Sequence, residues 1–439
     1  MNAISIHHIK FTGPLAMIVA ALPFSIFVSN LGILILGFIW VCDWKWKAKW
    51  SLLLTNPVVI VFLLFFVVHL LAVLYSSDTG SAWFSVEQKI SFLILPLILA
   101  SITLRKEDVR FLLNLFIISC LAGTLICIET AYRKTVQGVT NINFDDYTAL
   151  AYNTASPHMG SDPWGFFSYI ELASGIGIHP LYFSLYLTFC VLIIIFFHAA
   201  SFRHYRRSKQ MIIILTLLYL SVFIICLATR IMTIAFFIVV SYGALNFLSK
   251  RSLFTKWSTV FLLMGALGSF LYLNPVSRFR NYQEVISTWP FLSTGLQTQS
   301  PSIHASLWFL SIKSLNKINY LIGAGAGDVT HLVQKTGEEY NIHNIQNNHD
   351  PHNQYLYTLL GLGAIGLIVL LSCLILPGVI AFQNKNYFYF TFILIFSFCC
   401  LTESVLEKQK GIVFFTLFNS LFLFQPGCIH AYQFKELKA

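Results

Sequence analysis

The chain has 439 residues, of which 57% are hydrophobic and only 10% are charged, whereas an average soluble domain has about 25% charged residues. A soluble protein cannot hide so much apolar surface, because even a large domain keeps a polar shell. The composition also excludes a disordered chain and a collagen-like fibre, and the continuous apolar stretches exclude an outer-membrane barrel. We therefore expect an all-α polytopic membrane protein.

Apolar runs long enough to cross about 30 Å of hydrocarbon occur along the whole chain. Basic residues flank the first run, 11–42, on both sides, which predicts two short helices broken near Pro23 and Asn30. The shorter run 90–104 follows Lys89 and contains Pro96, which membrane helices tolerate. The other predicted crossings are 57–75, 111–128, 179–202, 211–229, 231–249, 257–277, 353–384, 386–402 and 411–434. The sequence thus predicts about twelve transmembrane helices.

The formal net charge of +10 is interpreted as a topology signal. Every short loop on one side of the predicted bundle is basic, which places that side and both termini in the cytoplasm. Two long loops, 132–178 and 278–352, fall on the outer face, and the second lies between the ninth and tenth crossings. We expect residues 1–439 to form a single membrane domain with this insertion. The nine cysteines lie in or next to apolar runs, which predicts neither a disulfide framework nor a zinc site.

Arg230 is a charged residue between two apolar runs, in LATRIMTIAFF. Charge within a membrane segment is costly and often marks a functional site. The alternative is a turn residue whose side chain reaches the lipid headgroups at little cost.

The end of the longer outer loop, NNHDPHNQYLYTLLGLGAIGL, places His349, Asp350, His352 and Asn353 at the start of the tenth crossing. A histidine there titrates near neutral pH and is a candidate general base. Asp350 either orients this histidine or caps the helix. The spacing of His343, His349 and His352 matches no zinc signature, so we expect no metal.

Three other charged residues near the outer face are candidate site residues. Arg278 and Arg280, in NPVSRFRNYQE, suit a phosphate or pyrophosphate, because guanidinium binds such oxygens bidentately. Lipid headgroups are an equally good partner for such a pair. Glu403 ends the eleventh predicted crossing, in TESVLEKQKG, and is expected to face the same cavity as His352.

Two further features have simpler interpretations. GAGAGDV (323–329) lacks a strand signal and a Walker lysine, so we expect a tight loop after an amphipathic outer helix at 304–318. Asp145 and Asp146 either hold a divalent metal for a transferase or form a solvated loop pair, which we favour.

The chain resembles the bacterial O-antigen ligases and their O-antigen polymerase relatives. The most specific match is HNQYLYTLLGLGAIGL (352–367), which resembles the family's His-Asn-x-x-Leu…Gly-x-x-Gly signature. The predicted number of helices and the position of the large outer loop also match. The other similar segments are KISFLILPLIL (89–99), HPLYFSLYL (179–187), the arginine of TRIMTIAFF, SLWFLSIKSLNKINYLIGAGAGDV (306–329) and ESVLEKQKGIVFFTLFNSL (403–421).

The resemblance implies a GT-C-like fold in the bacterial inner membrane and an inverting glycosyl transfer at the periplasmic face, without metal or other cofactor. The donor would be a glycan on undecaprenyl pyrophosphate, and the acceptor a sugar hydroxyl of lipid A–core. It implies that His352 is the general base and that Arg230 binds the donor pyrophosphate, with Asn353, His349, Asp350, His179 and Glu403 in supporting positions.

One departure from the family concerns its second arginine, which lies four residues before the tryptophan of the outer-loop helix. This chain has His304 there, four residues before Trp308. We expect Arg278 or Arg280 to supply the missing phosphate contact, with His304 contributing when protonated.

Three other functions remain open on the sequence. An O-antigen polymerase would use the same donor with another lipid-linked glycan as acceptor, and a protein O-glycosylating ligase would use a protein. The TESVLEKQKG ending favours a lipopolysaccharide ligase. A transporter or flippase for lipid-linked glycans would need polar residues near mid-membrane and often inverted repeats, and neither is evident. Nucleic acid is not an expected partner.

Overall fold

The computed structural model describes residues 3–43, 56–137, 166–198, 202–247, 252–273, 303–340, 342 and 349–425. Within these ranges 84% of the residues are helical and no strand occurs, which confirms the all-α class. In chain order the α-helices are α1 (Ala3–Ala21), α2 (Ile26–Cys42), α3 (Pro57–Ala72), α4 (Thr79–Ser101), α5 (Lys106–Gln137), α6 (Tyr169–Ala173), α7 (Pro180–His198), α8 (Arg207–Cys226), α9 (Arg230–Phe247), α10 (Leu253–Leu273), α11 (Ile303–Ser314), α12 (Val329–Glu339), α13 (Gln354–Gln383), α14 (Tyr387–Thr402) and α15 (Gln409–Phe424).

Membrane character follows from the length and apolar composition of these helices. The described part of the chain contains seven apolar helices of 10–17 residues, in addition to five longer ones. Each predicted apolar run overlaps with an observed helix. The chain is therefore a helical membrane protein, while the number of crossings and the side of each terminus remain predictions. Among the described residues, five helices are long and apolar enough to cross a membrane, namely Thr79–Ser101, Lys106–Val136, Pro180–His198, Arg207–Cys226 and Gln354–Gln383.

The chain forms two compact units. The first comprises residues 1–113 and 280–439, and the second comprises residues 114–279. In the first unit, α4 packs against α3 and α15, and α13 packs against α3 and α14. In the second unit, α7 is the central helix, since it contacts α6, α8 and α9 and is largely buried.

Phenylalanine rings account for much of the packing in the first unit. Phe92 of α4 lies 4.9 Å from Phe65 and 5.5 Å from Phe62, measured between ring centroids, and both partners are on α3. Phe415 of α15 stacks on Phe396 of α14 at 4.3 Å. Aromatic pairs at these spacings favour tilted or offset geometries, so the rings fix the relative positions of four helices around the region described below.

The N-terminal run forms two helices, as its flanking charges predict, but the break is shorter than expected. The connection consists of residues 22–25, which include Pro23, and the Ser25 side chain accepts a hydrogen bond from the Val28 backbone N–H at the start of α2. Asn30 lies inside α2 and is not part of the break. Its side-chain oxygen accepts a hydrogen bond of 3.0 Å from Gln409 of α15, which explains a polar residue within an apolar helix.

The described part of the segment 278–352 contains α11 and α12, with a tight loop between them. The helix predicted at 304–318 is observed as α11, and residues 323–328 of GAGAGDV form the predicted tight loop. In α13 the backbone is not helical at Gly363, where φ is 63° and ψ is −163°. This break divides α13 into a short first part, 354–362, and a longer second part, 364–383.

Candidate functional site

A sharp turn before α13 fixes the backbone of His352. Its φ is +46°, in the left-handed region that costs a non-glycine residue roughly 1–2 kcal/mol. Three hydrogen bonds to two side chains hold the turn. Asp350 Oδ1 accepts from the His352 N–H at 2.8 Å, and Asn353 Oδ1 accepts from the backbone N–H groups of Tyr355 and Leu356. Asn353 is therefore the helix cap, and Asp350 instead binds the histidine backbone.

The imidazole of His352 is held by two carboxylates. Its Nδ1 atom lies 3.1 Å from Oε1 of Glu403 and 3.6 Å from Oδ1 of Asp350. The Glu403 carboxylate is nearly buried, in the connection that follows α14. Ser404, the next residue, donates a hydrogen bond of 3.0 Å to Asp350 Oδ1. An ionised carboxylate only accepts hydrogen bonds, so with Glu403 ionised Nδ1 is the donor and the neutral ring has its lone pair on Nε2.

The surroundings of His352 make its imidazole more basic. Burial lowers the pKa, but the hydrogen bond and negative charge of Glu403, together with the charge of Asp350, outweigh it, so the pKa is raised above the usual value. His349, whose ring centroid lies 6.5 Å from that of His352, shows the opposite shift. Burial and then the charge on His352 lower the pKa of His349. Neighbouring groups whose pKa values are pushed apart are typical of acid–base sites.

Helix α11 brings two more residues to His352. The ring of His304 lies 4.8 Å from the His352 ring, centroid to centroid, at an interplanar angle of 53°. Trp308, one turn further along α11, donates its indole N–H to the His352 carbonyl oxygen at 3.4 Å. The structure thus gathers His304, His349, Asp350, His352 and Glu403 in one place, although residues up to 99 positions apart in the sequence contribute.

A buried polar cluster lies next to this site, and the sequence did not predict it. Lys89 is fully buried in α4, and its Nζ atom lies 2.5 Å from Oε2 of Glu407. Gln354, the first residue of α13, donates to Glu407 Oε1 at 2.9 Å and accepts from the Leu406 backbone N–H at 2.7 Å. The cluster joins α4 and α13 to the 3₁₀ turn Val405–Glu407, which lies two residues after Glu403.

Lys89 was missed because the predicted crossing began at residue 90, which left this lysine in an outer loop. In the structure α4 begins at Thr79 and includes it. The available signal was the cost of a charged residue within an apolar helix, since such residues are rare and need a partner. No pattern in the sequence indicated Glu407 or Gln354 as that partner.

Arg230 and His179 belong to the second unit. Arg230 is half-buried and is the first residue of α9, and the connection from α8 contains Ala228 with φ of 47°. A cation is unfavourable beside the partial positive charge of a helix N-terminus unless an anion accompanies it.

The His179 ring lies 6.4 Å from the Tyr169 ring and 6.3 Å from the Tyr182 ring, measured between centroids. Its Nδ1 atom accepts from the backbone N–H of Leu181, at a long 3.4 Å.

Four other candidates lie outside the described residues. The structure therefore gives no position for the arginine pair or for the acidic pair of the shorter loop. The four candidates are Arg278, Arg280, Asp145 and Asp146.

One group in the described residues has the donor set of a divalent-cation site. Ligand atoms of Asp350, His352 and Glu403 lie within 4.8 Å of one another. His343 lies outside the described residues, and this set differs from the three histidines considered in the sequence. In the structure the Asp350 and Glu403 oxygens already bind protein donors, namely the His352 N–H groups and Ser404. A histidine oriented by carboxylates accounts for these contacts without a cation.

No protein-family model matches the chain, and no curated protein matches it.

Proposed function

We propose that this membrane protein is a glycosyltransferase of the O-antigen ligase type, with His352 as its general base. The observation that carries the proposal is the contact between His352 Nδ1 and Glu403. A histidine oriented through Nδ1 by a carboxylate has its Nε2 free to accept a proton, which is the arrangement a general base requires. The resemblance over residues 352–367 supports the same assignment.

In the proposed reaction, a sugar hydroxyl of lipid A–core transfers its proton to Nε2 of His352. The hydroxyl oxygen attacks the anomeric carbon of a glycan carried on undecaprenyl pyrophosphate. The bond between that carbon and the phosphate oxygen breaks with inversion, and undecaprenyl pyrophosphate leaves with the electron pair. Protonated His352 is stabilised by Glu403 and Asp350, so the proton transfer is favoured.

The departing pyrophosphate needs positive charge. We assign this role to Arg230, because it resembles the family's arginine and because the first residue of a helix is a natural anion position. The second phosphate contact falls to Arg278, Arg280 or His304. Contact of the His304 ring with His352 favours a part for His304 close to the transferred sugar. The active site would face the periplasm of a bacterial inner membrane, with both termini in the cytoplasm.

The experiment is a transfer assay with purified protein, labelled lipid-linked glycan and lipid A–core. We expect the label to move to lipid A–core and undecaprenyl pyrophosphate to be released. Deletion of the gene should remove the whole O-antigen ladder while the core remains. A single-repeat band would indicate a polymerase instead, and movement of the donor without released undecaprenyl pyrophosphate would indicate a transporter.

A further inference from the structure

The break at Gly363 separates two parts of α13 with different surroundings. In residues 354–362 every side chain is buried or half-buried, whereas exposed large apolar side chains begin at Ile365 and continue to Phe382. The second part, 364–383, has about 20 residues and is therefore long enough by itself to cross about 30 Å of hydrocarbon. The surface of α13 that suits lipid thus starts directly after Gly363.

The loop between α11 and α12 pairs with the backbone at this break. Ala324 N–H donates to Leu360 O at 2.8 Å, and Gly325 N–H donates to the next carbonyl. On the other side of the break, Ala364 N–H donates to Tyr320 O at 2.8 Å. A Cβ atom on Gly363 would overlap the Leu321 backbone, so the close approach requires glycine. Non-helical backbone at membrane depth is tolerated where protein groups satisfy it, and this loop does so.

Three further hydrogen bonds fix the loop to the segment just before α4. The Tyr75 hydroxyl donates to the Ile322 carbonyl oxygen at 2.6 Å. The Asp328 carboxylate accepts from the backbone N–H groups of Ser77 and Asp78, at 2.7 and 2.9 Å. The loop is therefore attached at both ends and cannot turn its side chains inward without breaking these bonds.

Despite these attachments, the loop exposes apolar side chains. Tyr320 and Leu321 are 61% and 63% exposed, and Ile322 is 39% exposed. Leu74, beside Tyr75, is 84% exposed. Tyr75 itself is 36% exposed. We call these five residues, Leu74, Tyr75, Tyr320, Leu321 and Ile322, the apolar loop patch. Such a surface on rigid backbone indicates an apolar partner.

We propose that the apolar loop patch contacts phospholipid at the boundary between hydrocarbon and headgroups of the outer leaflet, and that Gly363 marks this boundary. Backbone hydrogen bonds join the patch to α13 directly beside the exposed Ile365, so it continues a surface that suits lipid. Its two tyrosines fit an interface, where an apolar ring meets lipid and a hydroxyl meets polar groups. The backbone of the outer loop is therefore anchored in the membrane surface.

This placement determines the height of His352. The first part of α13 is about 14 Å long, at 1.5 Å per residue, which is the largest distance by which it can rise from the boundary. His352 precedes this part and then lies on the headgroup side of the boundary, within that distance. The position of His352 relative to the membrane is independent of the proposed reaction.

The test uses the photoreactive residue p-benzoylphenylalanine in place of Leu321, in the full chain in nanodiscs of phosphatidylethanolamine and phosphatidylglycerol with tritiated acyl chains. The same substitution at Ile368 is the positive control. Lys335, exposed on α12 of the same outer loop, is the matched negative control. We expect lipid adducts at position 321, as at 368, and none at 335. Absence of lipid adducts at 321 while 368 reacts, or adducts between two copies of the chain at 321, would overturn the proposal.

Discussion

His352 Nδ1 lies 3.1 Å from Glu403 Oε1, and 51 residues separate the two in the chain. The glutamate follows α14 and the histidine precedes α13, and these helices pack against each other. The pair therefore forms where two adjacent helices meet. A general base in this position would depend on Glu403 for both its orientation and its basicity.

The first prediction concerns this dependence. A base must be neutral to accept a proton, so the rate rises with pH through the pKa of His352, which is raised in the protein. Replacing Glu403 by Gln removes the negative charge and lowers that pKa. In Glu403→Gln the acid limb of kcat/KM should move to lower pH, while the maximal rate falls roughly 10–100-fold through lost orientation. An unshifted acid limb would show that Glu403 does not tune the base.

The second prediction concerns the buried ion pair. Lys89→Met leaves the carboxylate of Glu407 buried without its cation, which costs about 3–5 kcal/mol. The apparent Tm in detergent should fall clearly, and Lys89→Met combined with Glu407→Gln should recover part of the loss. Arg133→Ala, which removes a solvent-exposed ion pair with Glu129, is the matched control and should change Tm little. Equal effects of Lys89→Met and Arg133→Ala would contradict the account.

The third prediction concerns metal. If His352 acts as a base oriented by carboxylates, transfer should continue in excess EDTA, and purified protein should contain no stoichiometric divalent metal. The measurement is the transfer assay with elemental analysis of the same sample. Loss of activity in EDTA, recovery with one divalent cation and loss of that cation in Asp350→Asn would instead assign the three-residue group as a metal site.

The fourth prediction concerns His304. Arginine stays charged at all relevant pH values, whereas a histidine loses its charge near neutrality. If His304 contributes a phosphate contact when protonated, His304→Arg should lower the KM for the lipid-linked donor most strongly above neutral pH. His304→Ala should raise that KM at low pH. An unchanged donor KM in both variants would remove His304 from the phosphate contacts.

The fifth prediction concerns Gly363. Alanine there must adopt a positive φ and also overlaps the Leu321 backbone, so Gly363→Ala should destabilise the protein by on the order of 1–3 kcal/mol or more. Gly13, exposed in α1 with open space around its Cα, is the control. Gly13→Ala should be neutral or slightly stabilising, because alanine favours helix. The comparison is made by thermal unfolding in detergent.

Much of the helical architecture was predictable because apolar periodicity and length are local signals. The amphipathic pattern predicted α11, the flanking lysines predicted the two N-terminal helices, and the lack of a strand signal and a Walker lysine predicted the tight GAGAGDV loop. The break in α13 was not, since Gly363 needs its unusual backbone only because the loop at 320–325 lies against it. Contacts between distant segments are not contained in local patterns.

The candidate site was likewise predictable only where local sequence patterns indicate it. His352, His349 and Asp350 were identified because they are crowded before an apolar run. Glu403 was also expected near them. Whether Asp350 caps the helix was left open, and in the structure Asn353 performs that role. Lys89 lay one residue outside the predicted crossing. Its partner Glu407 comes from the turn before α15, and Gln354 of α13 binds the same carboxylate.

The most direct test of the central claim is single-turnover transfer by His352→Ala, with His331→Ala, an exposed histidine of α12, as control. Donor binding is measured separately by equilibrium binding of the labelled lipid-linked glycan. The account predicts that His352→Ala binds the donor normally but transfers no glycan to lipid A–core, while His331→Ala transfers it at the normal rate. Normal transfer by His352→Ala would contradict the assignment of His352 as the general base.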